Sequence, residues 1–452
     1  MQVFGGEFFA PLDAAFLRTG SATCADSALC ADFTPRTDAV THADPAPRTD
    51  QVPHTNPAPR TNPAPRTDQV PHINPTPHTN TAPRTNRGIG VAGVASGRQG
   101  ISLLARSLRD RGVRRVGIAS FACWTMVEPW ELEGIGIDFL PVGADLLPCP
   151  RALAEYPGPA HALFFATVFG IQPGSALRRE LAAFRSRGGA IALDLTHEAL
   201  THKPLMYEAL THEVLTSETF TTAAPPHEAP AHEVLTSETP APKQLTHKAL
   251  QPQLPDYADF AVASLRKWVP IPDGAWVAGP GITQPLSRSS HDAAVTSRTW
   301  QQICTGQDCG AEALVDQALT PAPLSEISRG ILRRLDTGAL LERRLENSRA
   351  LRAALKTRIA ELVDPGARGA LRFLGDGRFA VVIDLPVPAT RALQYAQALA
   401  AQGVYSPAFW PPVRNSLADT WPAVLALPID QRYTPADMQV LARRVVRALH
   451  DS

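Results

Sequence analysis

Apolar positions recur with helical spacing in ISLLARSLRDRG (101–112) and then bunch into short runs in RRVGIASFA (114–122), IDFLPV (137–142) and HALFFATVFG (161–170). The next stretch, SALRRELAAFRSRGG (175–189), returns to the helical period. Leu177, Leu181 and Phe184 share one face, Ser175 is the expected N-cap, and two glycines stop the helix. AIALDL (190–195) and DFAVASL (259–265) follow as further strands, and VAGVASGRQG (91–100) reads as a Gly-rich turn that opens the first helix. Short apolar strands alternating with amphipathic helices predict an α/β fold: a mostly parallel, doubly wound sheet whose ligands bind beyond the carboxyl ends of the strands.

After residue 325 the pattern changes. A long amphipathic stretch (325–362) precedes LRFLGDGRFAVVIDLP (371–386), where Asp376 and Gly377 sit between alternating apolar residues and signal a hairpin. Helices are expected over TRALQYAQALAAQG (390–403), ending at Gly403, and from about Pro435. These elements predict a small α/β domain over 326–452. Trp410, in VYSPAFWPPV, is read as a core residue or a residue facing substrate.

Two segments break the periodicity. Residues 34–87 repeat PRTD, PRTN, QVPH and NPAP units, with proline every few positions and few large apolar side chains. Such a stretch predicts an extended, disordered linker between an N-terminal segment (1–33) and the main domain (88–197). Residues 198–254 repeat THEALTHK and HEVLTSET units interrupted by Pro225, Pro226, Pro230, Pro240 and Pro242. They read as a mostly disordered insertion with a short helix near 205–216, after which the main domain resumes over 255–325.

Composition narrows the function. Basic and acidic residues balance at 43 each over 452 residues, so neither nucleic acid nor an anionic membrane is expected as a partner. No signal peptide or apolar run of membrane-spanning length is read, which makes a cytoplasmic protein the expectation. The closest cysteine pairs, Cys24 with Cys30 and Cys304 with Cys309, lack CxxC spacing. His197 with His202, and His227 with His232, are five apart rather than the four that aim two rings at one ion, so no metal site is expected.

Chemistry is therefore sought at the strand ends. SGRQG (96–100) leads into a helix, where backbone N–H groups and Arg98 can hold a phosphate. Asp194 ends AIALDL, and Lys267 follows DFAVASLR. Each alone reads as readily as a turn former, a cap or a solvated charge. An anion turn, a strand-end acid and a strand-end lysine in this order suit pyridoxal phosphate (PLP), which needs a phosphate cradle, a carboxylate beside its ring nitrogen and an amine for a Schiff base. Phe121, at a strand end, is placed to stack on the ring.

At these residues the sequence resembles the DegT/StrS family of PLP-dependent aminotransferases, in a divergent branch. The segments that carry the resemblance are GGEFFAPL (5–12), SGRQGISLL (96–104), FACWTMVEPW (121–130), VFGIQ (168–172) and SLRKWVPIPDGAW (264–276). The lysine segment is the most specific of them, and the likeness spans most of the chain outside the repeats. It implies PLP-transferase fold type I and a homodimer. Catalysis would rest on Lys267 as Schiff-base residue and Asp194 at the pyridine nitrogen. Cofactor binding would involve Gly97, Arg98 and Gln99 in the phosphate turn, Phe121 as stacking ring, Ser264 at the phosphate and His197 near the 3′-oxygen. Arg266 is left to phosphate, substrate or a structural ion pair. Gly100 departs from the family, which favours alanine there.

The implied reaction transfers an amino group from a small-molecule donor to a keto-sugar or related metabolite in polysaccharide or secondary-metabolite synthesis. The alternatives are another PLP reaction, dehydration or epimerisation, and a non-catalytic homologue acting as a scaffold.

Overall fold

A computed structural model describes residues 88–211, 253–362 apart from 286, 307, 308 and 319, and 372–451 apart from 386, 388, 407–412, 414–416 and 418–420. The N-terminal GGEFFAPL element, the Pro-rich linker, most of the second repeat and Trp410 lie outside the described residues.

A seven-stranded sheet forms the large layer. Its strands are β1 (Ile89–Val94), β2 (Arg115–Ala119), β3 (Gly136–Leu140), β4 (His161–Ala166), β5 (Ala190–Asp194), β6 (Phe260–Ser264) and β7 (Ala275–Pro280), in spatial order 1-7-6-5-4-2-3. Strands 3, 2, 4, 5 and 6 run parallel, while β7 pairs antiparallel with both β6 and β1. The parallel strands are the apolar runs of the sequence; β2, β4, β5 and β6 are buried on both faces along most of their length, as βαβ crossovers require, while the edge strand β3 is half-buried.

Two strands of this sheet escape the periodicity reading, as does β10 (Val424–Pro428) of the smaller one. The stretch taken as a Gly-rich turn begins as β1. Its glycines are needed because backbone packs onto it: a Cβ on Gly93 would lie 2.6 Å from the carbonyl oxygen of Ala209, and one on Gly90 2.1 Å from that of Ile282. Strand β7 was hidden behind the PDG turn. Gly274 there has φ +142°, a conformation open to glycine and strained for other residues.

Helix α1 (Gly97–Asp110) buries Ile101, Leu104, Ala105 and Leu108 against the sheet. Gly100 is explained by the same contact. A Cβ on it would come within 2.7 Å of Val262 Cγ2 on β6, so an alanine does not fit over this valine. Helix α2 spans Trp124–Leu132, α3 Pro150–Glu155 and α4 Ser175–Ser186. The last buries Leu177, Leu181 and Phe184 as expected, but Ser175 is its first residue and Gly174 occupies the N-cap position.

The boundary placed at residue 198 moves. Helix α5 (Lys203–Thr211) packs on the sheet, with Leu200, Leu205 and Met206 fully buried, so the first part of the repeat is core. The short helix expected near 205–216 begins two residues earlier, at Lys203, and residues 212–216 lie outside the described residues.

The chain continues through α6 (Ser290–Thr305), α7 (Ala311–Gln317), α8 (Glu326–Arg334) and α9 (Thr337–Leu362). A smaller antiparallel sheet, β10-β9-β8, joins β8 (Arg372–Leu374), β9 (Ala380–Asp384) and β10 (Val424–Pro428). Helices α9, α10 (Ala389–Ala401) and α11 (Pro435–Asp451) cover it, around a core that includes Leu351, Leu355, Ile383, Leu427 and Leu441. Leu332, Leu335 and Leu340 join the large core instead, so the start of the C-terminal third packs with the main sheet. No helix among the described residues is long and apolar enough to cross a membrane.

Candidate active site

The carboxyl ends of β4, β5 and β6 face the amino-terminal ends of α1 and α2 across an open cavity. Ala166, Asp194 and Ser264 line it from the strand ends, Ser96, Gly97 and Arg98 from α1, and Cys123, Thr125 and Met126 from α2, with Thr196, His197, Arg266 and Lys267 completing the wall. A parallel sheet places its strand-to-helix turns at one edge, which is why residues 170 positions apart in the chain converge here.

The turn at 96–98 is built by a cap. Ser96 has extended backbone and its Oγ accepts the Gln99 N–H at 3.2 Å, which starts α1 beside the cavity and turns the positive end of the helix toward it. Gly97 approaches β6 closely: a Cβ there would lie 3.3 Å from Ser264 Cβ. Arg98 is buried and its Nη1 lies 3.3 Å from Glu128 Oε2 on α2. Two positions go elsewhere. Gln99 reaches away from the cavity, donating to Asp292 Oδ1 and the Ala318 carbonyl and accepting from the Ala322 N–H, so its side chain braces a loop rather than an anion. Phe121 is buried, is absent from the lining and meets Trp421 edge-on, with centroids 5.0 Å apart.

Asp194 is buried at the end of β5. Its Oδ1 accepts the Thr196 N–H at 2.8 Å, and no arginine or lysine among the described residues lies within ion-pair distance. Burial holds its pKa above the usual carboxylate range, against the opposing pull of the Thr196 bonds and Lys267. Lys267 is exposed, in the turn that follows β6.

His197 is buried against two aromatic rings, stacked on Phe169 at 5.2 Å and on Phe379, just before β9, at 3.9 Å. Its Nδ1 accepts the Phe169 N–H at 3.0 Å, which leaves the proton of the neutral ring on Nε2 as a donor. Burial, helped by Lys267, lowers its pKa to about 3, so the ring stays neutral across the physiological range. Phe169 adopts φ +58°, an uncommon conformation for a bulky residue, and this turn aims its N–H at the imidazole. Such a wall can present a fixed uncharged donor to a ligand oxygen.

The residues missed from the sequence are Cys123, Thr125 and Met126. They belong to the quoted FACWTMVEPW segment, but nothing in their spacing says that α2 begins at Trp124 and turns them inward. Cys123 Sγ and Thr125 Oγ1 lie 3.0 Å apart, and burial pushes the thiol pKa up. Arg266 lines the cavity beside Lys267.

No family model and no curated protein matches the sequence. Solved structures do resemble the fold. Spr1654 of Streptococcus pneumoniae, described as a sugar aminotransferase and solved in its PMP-form, shares 12% identity at a TM-score of 0.50, over 80% of this chain and 86% of that one. The aminotransferase TlmJ from Streptoalloteichus hindustanus matches at 15% identity and a TM-score of 0.43, over 80% of this chain and 86% of that one. The sugar aminotransferase CalS13 from Micromonospora echinospora matches at 14% and 0.43, over 80% and 87%. At these identities the likeness is one of fold: the chain is a mixed α/β protein of the PLP-transferase type I fold, with a large mostly parallel sheet and a small antiparallel one.

Proposed function

We propose that this protein is a PLP-dependent aminotransferase that passes an amino group from a small-molecule donor to a keto-sugar or related metabolite. The observation that carries the reading is the convergence of Lys267, Asp194 and the Ser96–Arg98 turn on one cavity. The donor set fits the cofactor. Asp194 is a buried carboxylate facing the cavity with no cationic partner within ion-pair distance among the described residues, and a protonated ring nitrogen supplies that charge. The start of α1, Arg98 and Ser264 suit a phosphate, and His197 Nε2–H suits a ring oxygen.

When bound, the cofactor serves as an electron sink for the substrate carbon that bears the amino group. The protein's own groups do the rest. Lys267 supplies the amine that anchors the cofactor and then moves a proton at that carbon. Asp194, ionised by its new partner, keeps the ring nitrogen protonated. His197, held neutral, donates a hydrogen bond without adding charge. Support for a sugar acceptor comes from the motif resemblance and from the sugar aminotransferase Spr1654 of the same fold. A homodimer is part of the same proposal.

Purified protein mixed with PLP is expected to show a visible absorbance band that Lys267→Ala abolishes, and glutamate is expected to bleach it. A panel of nucleotide-linked keto-sugars then identifies the acceptor by restoring the band. A protein without a lysine-dependent band refutes the cofactor reading, and a band indifferent to every amino donor refutes transamination.

A further inference from the structure

Trp268 follows Lys267 and is fully buried, and every polar group it has is used. Its backbone N–H donates to the Leu265 carbonyl at 3.0 Å. Its indole Nε1–H donates to the Thr196 carbonyl at 2.6 Å. Thr196 is tied in turn to both sides of the cavity: its N–H donates to Asp194 Oδ1 at 2.8 Å, and its Oγ1 accepts the Ser264 N–H at 3.0 Å. The Trp268 carbonyl accepts Gln431 Nε2 at 2.9 Å and Arg344 Nη2 at 3.5 Å, both from the C-terminal third of the chain.

Arg344 is the unusual member. It is 1% exposed, and no carboxylate lies within ion-pair distance of it among the described residues; Asp430, the nearby acid, is bonded to Arg432 at 2.7 Å. Instead Arg344 donates to Gln431 Oε1 at 2.9 Å and to the Phe379 carbonyl at 3.3 Å, and its guanidinium carbon stands 4.6 Å from the Trp268 ring centroid. A buried cation without an anion is a poor way to stabilise a core, where an apolar side chain of similar size does as well or better. What the guanidinium provides here is a fixed set of donors around Trp268 and its neighbours.

We propose that Trp268, gripped by Gln431 and Arg344, is a positioning residue that fixes the Lys267 turn against the Asp194 strand end, so that docking of the small domain sets the placement of the reactive amine. This rests on the reading of Lys267 as that amine. Three ties act on the residue next to the lysine: N–H to Leu265, indole to Thr196, carbonyl to Gln431 and Arg344. Loss of any one loosens the backbone torsions that flank the planar Lys267–Trp268 peptide bond.

The test uses the full chain with Gln431→Glu, which retains an acceptor for Arg344 but no donor for the Trp268 carbonyl, and Trp268→Phe, which retains a ring but no N–H for Thr196. Arg329→Met is the control, since Arg329 is also a buried arginine but donates to the Leu210 carbonyl on α5. Two quantities are read on folded protein: acylation of Lys267 in cofactor-free chain, followed by peptide mass spectrometry, and the pH midpoint of the lysine-dependent band with PLP. Gln431→Glu and Trp268→Phe are expected to raise the acylation rate at least threefold and to move the midpoint by half a pH unit or more. Arg329→Met is expected to lower the melting temperature and leave both readouts at the wild-type values. Wild-type acylation rates in either site variant, or an equal change in Arg329→Met, would overturn the proposal. If the wild type forms no band with PLP, the cofactor reading fails, and the acylation rates alone still decide whether Trp268 holds the lysine turn.

Discussion

Asp194 sits where a carboxylate is poorly solvated, and the protein's stability should record it. Its folded pKa is raised by burial, so it binds its proton more tightly folded than unfolded. Stability from this group is complete below the ordinary carboxylate pKa and is lost as pH rises through the folded pKa. Asp194→Asn keeps an acceptor for the Thr196 N–H and removes the charge. Cofactor-free Asp194→Asn is expected to exceed the wild type at pH 8 by on the order of 1–3 kcal/mol in denaturant unfolding, and to converge with it toward pH 4. The same variant is expected to weaken PLP retention at least tenfold. This opposition between stability and binding is characteristic of a functional group, and a purely structural acid would lose on both counts. Asp194, Arg98 and Lys267 stand out in the sequence as candidates because each ends, opens or closely follows an element whose type the apolar pattern declares. Phe121 and Gln99 were not, since a residue's position at an element's end does not say which way its side chain turns.

Helix α1 shows what an element adds to a residue. Glycine at position 100 costs about 1 kcal/mol of helix propensity relative to alanine, yet the helix lies so close to β6 that a methyl group would collide with Val262. Gly100→Ala is therefore expected to destabilise by about 1–3 kcal/mol rather than to stabilise. Adding Val262→Ala should recover most of that loss in a double-mutant cycle read by thermal unfolding. Independent, additive effects would show that the contact is not what selects glycine. The sequence displays this glycine as a departure from related motifs, and only the packing of helix on strand gives its reason. Strand β1 and helix α5 teach the same lesson in reverse. The glycines of β1 conceal a strand, and the repeat-like text around α5 conceals that its helix is core; the two elements are stable because they pack on each other.

At the scale of the molecule, the C-terminal third of the chain forms part of the site's support. Phe379, just before β9, lies on His197 at 3.9 Å and meets Trp268 edge-on at 5.5 Å, so one ring covers the histidine and braces the lysine turn. His197 is depressed to about 3 by burial. Its folded pKa lies below its unfolded value, so the stability it contributes is complete above pH 6.5 and falls by about 1.4 kcal/mol per pH unit as pH drops toward 3. Phe379→Ala opens that cover. The variant is expected to lose about 3–5 kcal/mol of stability, and the His197 ring is expected to titrate nearer 6, as followed by imidazole NMR signals assigned with His197→Gln. An unchanged, depressed pKa would mean that the large domain alone buries the ring.

The amino-acid sequence by itself determined the alternation of strands and helices, the amphipathic faces and the order of anion turn, acid and lysine, because these follow from local period and composition. It also determined that the catalytic candidates would stand at strand ends. Which of them share a cavity was decided only by tertiary structure, because the crossover connections and the antiparallel return of β7 bring together residues far apart in the chain. Tertiary structure also decided that α2 lines the cavity with Cys123, Thr125 and Met126, that Gln99 and Phe121 do not line it, and that Arg344 and Gln431 reach the residue beside Lys267. Those contacts depend on the packing of whole elements: local period says which face of an element is buried, not which distant residue a side chain on that face meets.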